Sequence, residues 1–167
     1  MSGDGTGVPV EDGTLTESNS YVTTIEISAF CTGLGLAEWA LASVTDQASA
    51  GLRGMAYVES KMYKGQKASN IQVRKWPRAN ATDEDNVKIS TTTVPTAIKN
   101  AQCRASYEEV VSVGVLQPNL TRDSFTTKEK VDVIEIDYER GSNSTVFQAI
   151  DGYLIGYLVR GNRLIRS

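Results

Sequence analysis

Only one long stretch of this chain, Val131 to Glu139, alternates apolar and polar residues as a half-buried strand does, with Ile134, Ile136 and Tyr138 on one parity and Glu135, Asp137 and Glu139 on the other. Val131 and Val133 continue the apolar set in the opposite parity, which predicts a bulge or an edge crossing near residue 133. The other regular segments read as helices. The expected fold is therefore mainly α, a small helical bundle with a short β-strand or hairpin element and extended N- and C-terminal segments. Its 167 residues make one domain. A domain of that size buries about 70% of its unfolded surface, so neither disulfides nor a metal are needed to fold it.

The organisation follows from punctuation and period. Residues 1–20 are rich in Gly, Thr, Ser and Asp and read as a flexible N-terminal arm, with Val8 to Val10 the only strand-like piece before Asp12-Gly13. Residues 21–158 read as the helical domain. Thr23 precedes Glu26 at capping-box spacing, so a helix is expected over Thr24 to Thr32, burying Ile25, Ala29 and Phe30 and stopping at Gly33. Leu36 to Ser43, Ala-rich around Trp39, reads as another short helix or an extension of the first. A longer one is expected from Thr45-Asp46 to Tyr63, with Leu52, Met55, Ala56 and Met62 on its apolar face and something packed closely against Gly51 and Gly54.

Residues 64–92 form a long loop with little regular structure, a length that favours a functional segment or a disordered one. Helix signals resume at Val94-Pro95, with Pro95 suited to the first helical position, and run to Val113 with Ile98, Ala101, Cys103, Ala105 and Val110 as the apolar side. The β element occupies 125–140. Phe147, Ile150, Leu154, Tyr157 and Leu158 then give an amphipathic helix that frays into a basic tail, 159–167.

Composition removes much enzymology. There is no histidine, which excludes Ser-His and Cys-His catalysis and His-based metal sites. Cys31 and Cys103 form no CxxC pair and read as small buried hydrophobes. Tyr57 and Lys61 have Tyr-x-x-x-Lys spacing, but no glycine-rich strand-turn-helix precedes them, so helix periodicity explains the match. Asp83, Asp85 and Asn86 resemble the start of a calcium loop, yet Val87 and Lys88 stand where an oxygen ligand and the turn glycine belong. No catalytic residue, metal ligand or cofactor is assigned. The chain shows no secretory leader and no apolar run long enough to cross a bilayer, so a soluble protein without a membrane partner, made in a reducing compartment, is expected.

Charge is sorted along the chain although the net value is only -3. Residues 1–50 hold seven acids and no base, whereas 51–78 hold seven bases against Glu59 alone. Such blocks are either solvated faces or complementary surfaces between copies or partners. The second reading pairs Glu11, Asp12 and Glu17 of one copy with Lys64, Lys67 and Lys75 of its neighbour. Within the basic block, Trp76-Pro77-Arg78 has two readings: a loop anchor, or a stacking platform for single-stranded nucleic acid with Arg74, Lys75 and Arg78 on the phosphates. The anchor is favoured, since a single aromatic makes a poor platform.

From Glu11 onward a similarity covering about 150 residues is carried by an ordered set of landmarks: Glu11-Asp12-Gly13-Thr14, Asn19-Ser20-Tyr21-Val22, Trp39, Tyr63-Lys64-Gly65, Trp76-Pro77-Arg78, Thr82-Asp83-x-Asp85, Val94-Pro95-x-Ala97-Ile98-Lys99-x-Ala101 and Lys128-x-Lys130-Val131 leading into Ile134-Glu135-x-x-Tyr138. The set resembles a phage family labelled DnaT-like ssDNA-binding, which is similar to the head-tail connector (adaptor or neck) proteins of tailed phages. The resemblance implies a virion protein of the neck, between capsid portal and tail, assembled in the host cytoplasm. It implies a ring-forming, dodecameric homo-oligomer that binds the portal protein, docks a stopper or tail neck protein, and lets genomic DNA pass through its lumen without specific binding.

On that reading Tyr157, Arg160, Arg163, Leu164 and Arg166 are the portal-docking candidates, against the alternative that the tail is a solvated frayed end. The rival function takes the family label literally: a replication accessory protein that grips single-stranded DNA through Trp76, Arg74, Lys75 and Arg78.

Overall fold

The computed structural model describes residues 18–117, 128–131, 134–137 and 147–159. The expected arm, with Val8 to Val10 and Glu11, Asp12 and Glu17, and the tail from Arg160 onward lie outside the described residues. What is described is mainly helical: α1 (Thr24–Gly33), α2 (Glu38–Leu41), α3 (Val44–Ser60), α4 (Thr96–Val111) and α5 (Gln148–Leu154), with two small antiparallel ladders.

The starts of α1 and α3 follow side-chain chemistry. Thr23 Oγ1 accepts the Glu26 N–H at 3.2 Å while the Glu26 carboxylate accepts the Thr23 N–H at 2.7 Å, the reciprocal capping box that the spacing predicts. Partial burial works to raise the Glu26 pKa, but these Thr23 bonds and nearby Lys99 outweigh it and hold the carboxyl below its ordinary range. Ser43, not Thr45 or Asp46, caps α3, accepting the Asp46 N–H at 3.1 Å. Pro95 is the cap of α4 rather than its first residue, and its carbonyl accepts from Ile98 and Lys99.

The apolar faces differ from expectation at both ends of the first half. On α1 the buried pair is Ile27 and Cys31, one turn apart, while Ile25 is 81% exposed and Ala29 is exposed. On α3 Met55, Tyr57 and Val58 are buried, Ala56 is exposed and Leu52 half-buried. Met62 is also exposed, because the helix stops at Ser60 and the extended backbone after it turns Tyr63 inward and Met62 outward. The glycine expectation holds. A Cβ at Gly54 would lie 2.6 Å from the Ser106 backbone nitrogen, and the Gly51 carbonyl accepts Gln102 Nε2 at 3.2 Å, so α3 and α4 meet nearly backbone to backbone.

Two apolar clusters result. One gathers Tyr21, Val58, Tyr63, Trp76, Ile98 and Leu154 among others; the second holds Val22, Ile27, Cys31, Trp39, Ala50 and Cys103. Full burial of a side chain such as Ile98 contributes about 1.5–3 kcal/mol.

The 64–92 segment is less irregular than its sequence suggests. β1 (Gln66–Lys67) pairs with β2 (Arg78–Ala79), with Lys67 opposite Arg78. Gly65, at φ 71°, lies against the 79–81 backbone, where a side chain would collide with the Ala81 nitrogen. A second turn closes over 82–88, with Asp83 Oδ1 accepting the N–H groups of Asp85 and Val87. Tyr63 bridges to Leu158, and the pairing is completed by Lys64 N–H to Tyr157 O (2.9 Å) and Val159 N–H to Met62 O (3.0 Å).

The single strand expected over 131–139 is instead a hairpin. β3 (Lys128–Val131) pairs with β4 (Ile134–Asp137), Val131 opposite Ile134 and Lys128 opposite Asp137. The bulge or edge crossing expected near residue 133 lies outside the described residues. The last helix is also shorter than its pattern: Ile150 and Leu154 are buried on α5, while Tyr157 and Leu158 lie beyond its end.

Candidate functional site: a buried tryptophan and its basic surround

Trp76 is 2% exposed. Its indole packs edge-on against Tyr63 (centroids 5.4 Å apart, 72°) and Tyr157 (5.8 Å, 82°), and its backbone N–H donates to the Tyr21 hydroxyl at 3.2 Å. Trp76 is thus packed into the core, with Pro77 buried beside it across a cis bond. The stacking-platform reading of Trp76 needs an open ring face, and none is open to a base.

Arg78, 8% exposed, is equally committed. Its guanidinium donates to four backbone carbonyls: Gly65 (2.6 Å), Lys64 (2.7 Å), Lys75 (3.1 Å) and Tyr63 (3.3 Å). The planar five-donor fork is what lets one side chain gather both ends of the loop. Burial lowers the Arg78 pKa, and the neighbouring Tyr21, Glu59 and Tyr63 act against that.

Lys64, Lys67, Arg74 and Lys75 also donate to carbonyls of their own chain. Lys75 Nζ donates to Lys61 O at 2.7 Å, Arg74 Nε to Ser18 O at 3.0 Å, and Lys64 Nζ to Gly156 O at 2.7 Å. Lys67 Nζ donates to Gln72 O and Val73 O, though Lys67 itself is exposed. The lysines proposed from sequence to face a neighbour's acids thus hold carbonyls of their own chain. Such bonds satisfy donors but neutralise no charge, so the segment stays electropositive.

Tyr157, one of the portal-docking candidates, is half-buried with its ring edge-on to Trp76. Arg160, Arg163, Leu164 and Arg166 lie outside the described residues.

Sequence reasoning missed the buried polar set that fixes this region. The Tyr21 hydroxyl donates to Glu59, whose carboxylate also accepts the Lys75 N–H at 3.0 Å. Burial, and then the charge of Glu59, push the Tyr21 and Tyr63 phenols well above their ordinary pKa. Gln102, fully buried, accepts from Tyr21 N–H at 2.9 Å. Glu109, 2% exposed, takes Arg53 Nε at 2.7 Å and the N–H groups of Gly114 and Leu116, closing the end of α4. The only available signal was polar residues at apolar phase in a helix.

Lys61 Nζ lies 2.8 Å from the Tyr57 hydroxyl and 3.5 Å from Asp151, a contact that ties α5 to α3. A shallow cleft of about 230 Å³ lies between the 83–85 turn and α5, lined by Asp83, Glu84, Asp85, Tyr153 and Tyr157. Among the described residues no cluster of His, Cys, Asp or Glu is placed to hold a metal, and no helix is long and apolar enough to cross a membrane.

Large apolar side chains stand open elsewhere: Leu41 (85%), Ile25 (81%), Val44, Val113 and Met62. No curated protein and no solved structure matches the chain. Residues 8–166 match the protein family described as "Putative DnaT-like ssDNA binding protein", a span that includes the Trp76 anchor, the Arg78 cage and all five helices, and the chain belongs to that family.

Proposed function

We propose that this chain is a structural assembly subunit, a head-to-tail adaptor of a tailed phage that forms a ring beneath the portal, extends the DNA channel and docks the next neck component. The observation that carries the reading is the inverted use of its surface. Large apolar side chains such as Leu41, Ile25 and Val44 are left in solvent, while Trp76 and Arg78, the groups best suited to nucleic acid, are buried. Partners on this reading are the portal, a stopper or tail neck protein, and further copies of the chain. DNA passes without being gripped.

The family description favours a second reading, a replication accessory protein that binds single-stranded DNA. Its grip cannot use Trp76 or Arg78 as they stand and would fall to Lys67, Arg74 and Lys75 together with basic residues outside the described set.

Two measurements separate the readings. Native mass measurement of the protein alone and mixed with portal should show a ring-sized species or a portal complex, lost when residues 159–167 are deleted. A labelled oligonucleotide titrated at low and high salt should bind weakly. Submicromolar, salt-sensitive oligonucleotide binding with no portal association would replace the first reading by the second.

A further inference from the structure

Both ends of the described body meet at one residue, Trp76, one at its backbone N–H and the other at its indole. On one side the strap Ser18–Val22 lays Tyr21 across the molecule: its N–H donates to Gln102, its hydroxyl donates to Glu59 and accepts the Trp76 N–H at 3.2 Å. Ser18 O adds the bond from Arg74 Nε. On the other side the Trp76 ring is held between Tyr63 and Tyr157. Those two tyrosines belong to the segments joined by Lys64 N–H to Tyr157 O and Val159 N–H to Met62 O.

We propose that Trp76 couples the two ends of the described body. Seating of the strap and pairing of residues 157–159 with 62–64 stabilise each other through the indole. A partner that pulls on the segment before Ser18, or on the segment after Val159, therefore changes the hold on the opposite end. The reason is steric. Tyr21 fixes the backbone at residue 76 and thereby the ring's orientation, and an indole buried to 2% in a close-packed cluster cannot shift without moving both tyrosines. The coupling belongs to the fold and holds whether the partner is a protein or a nucleic acid.

Amide hydrogen exchange on the intact chain tests it. Tyr21→Phe removes the donor to Glu59 and the acceptor for the Trp76 N–H. Exchange at the Lys64 and Val159 amides, neither of which bonds to Tyr21, should then speed up about three- to tenfold relative to the Ala105 amide in α4, which reports global opening. Coupling is reciprocal, so Tyr157→Leu should accelerate the Trp76 and Lys75 amides in the same way. If Tyr21→Phe does not fold, Glu59→Gln weakens the same junction with the phenol in place. Acceleration confined to each variant's own side of Trp76, with Lys64 and Val159 indifferent to the strap, overturns the proposal.

Discussion

Replacing Arg78 is the most direct probe of whether the basic segment is architecture or binding surface. Arg78→Ala deletes four bonds to carbonyls, two of them at 2.6 and 2.7 Å, and leaves those carbonyls facing a void. A hydrogen bond from a charged donor is worth about 1.5–3 kcal/mol net, but the four share one group and their worth does not sum. Desolvating a guanidinium with no carboxylate against it also costs several kcal/mol already spent in the native state. The two short bonds alone set an upper limit of about 3–6 kcal/mol on the loss, which in a domain of this size corresponds to a Tm drop of at most roughly 6–24 °C. Arg78→Lys keeps the charge but offers a single compact ammonium, unable to span Lys75 O and Gly65 O together, so it should lose about half as much.

Urea unfolding followed by far-UV circular dichroism and by tryptophan fluorescence gives both values, and the differences should not move between low and high salt because no ion pair is broken. A phosphate contact behaves oppositely: there Lys substitutes well, and stability barely changes in either variant. Arg78→Ala within about 1 kcal/mol of the parent protein would refute the structural assignment.

Gly54→Ala puts a methyl 2.6 Å from the Ser106 nitrogen and must spread α3 from α4, so it should cost about 1–3 kcal/mol, whereas Gly33→Ala, with open space around the new carbon, should be neutral or gain about 0.5–1 kcal/mol; thermal unfolding of the two variants checks the contrast. Burial pushes the Cys31 and Cys103 thiols up to about 11 and about 12, so both should resist alkylation at neutral pH in the native protein and react fully once it is unfolded. With folded pKa values raised, the thiols' contribution to stability is complete below the ordinary 9.0 and is lost as pH rises through about 11–12; a flat alkaline stability profile would contradict the burial.

What could be read from the residues depended on the range of the interaction. The Thr23–Glu26 box and the close approach at Gly54 were legible because capping is local and a glycine pair on a helix face has one common use. The Trp76 anchor was legible because an indole beside Pro77 has few other ways to satisfy its area. Helix phase failed at Ile25 and Met62, where a single element's period cannot say which stripe has a neighbour to pack on. The Arg78 cage was illegible for a stronger reason. Its acceptors are carbonyls at 63, 64, 65 and 75, which carry no side-chain signature, and only the closing of β1 on β2 brings them together.

That difference changes what the sorted charges mean. Seven bases between residues 51 and 78 against Glu59 alone look, as a string, like a surface offered to an acidic partner. In the folded chain Arg78 gathers carbonyls at both ends of the loop, while Lys64, Arg74 and Lys75 donate to carbonyls of the segments packed around it, Gly156, Ser18 and Lys61, so these cations serve as backbone donors within the chain. The field they leave outside the loop is a consequence, and an acidic partner can still use it, as can a phosphate backbone. Reversing these charges would remove donors as well as sign. A lost assembly in such variants says nothing about interfaces unless folding is measured beside it. Lys67, exposed and bonded only to carbonyls of its own loop, is the position in this block where charge can be altered with the least structural loss.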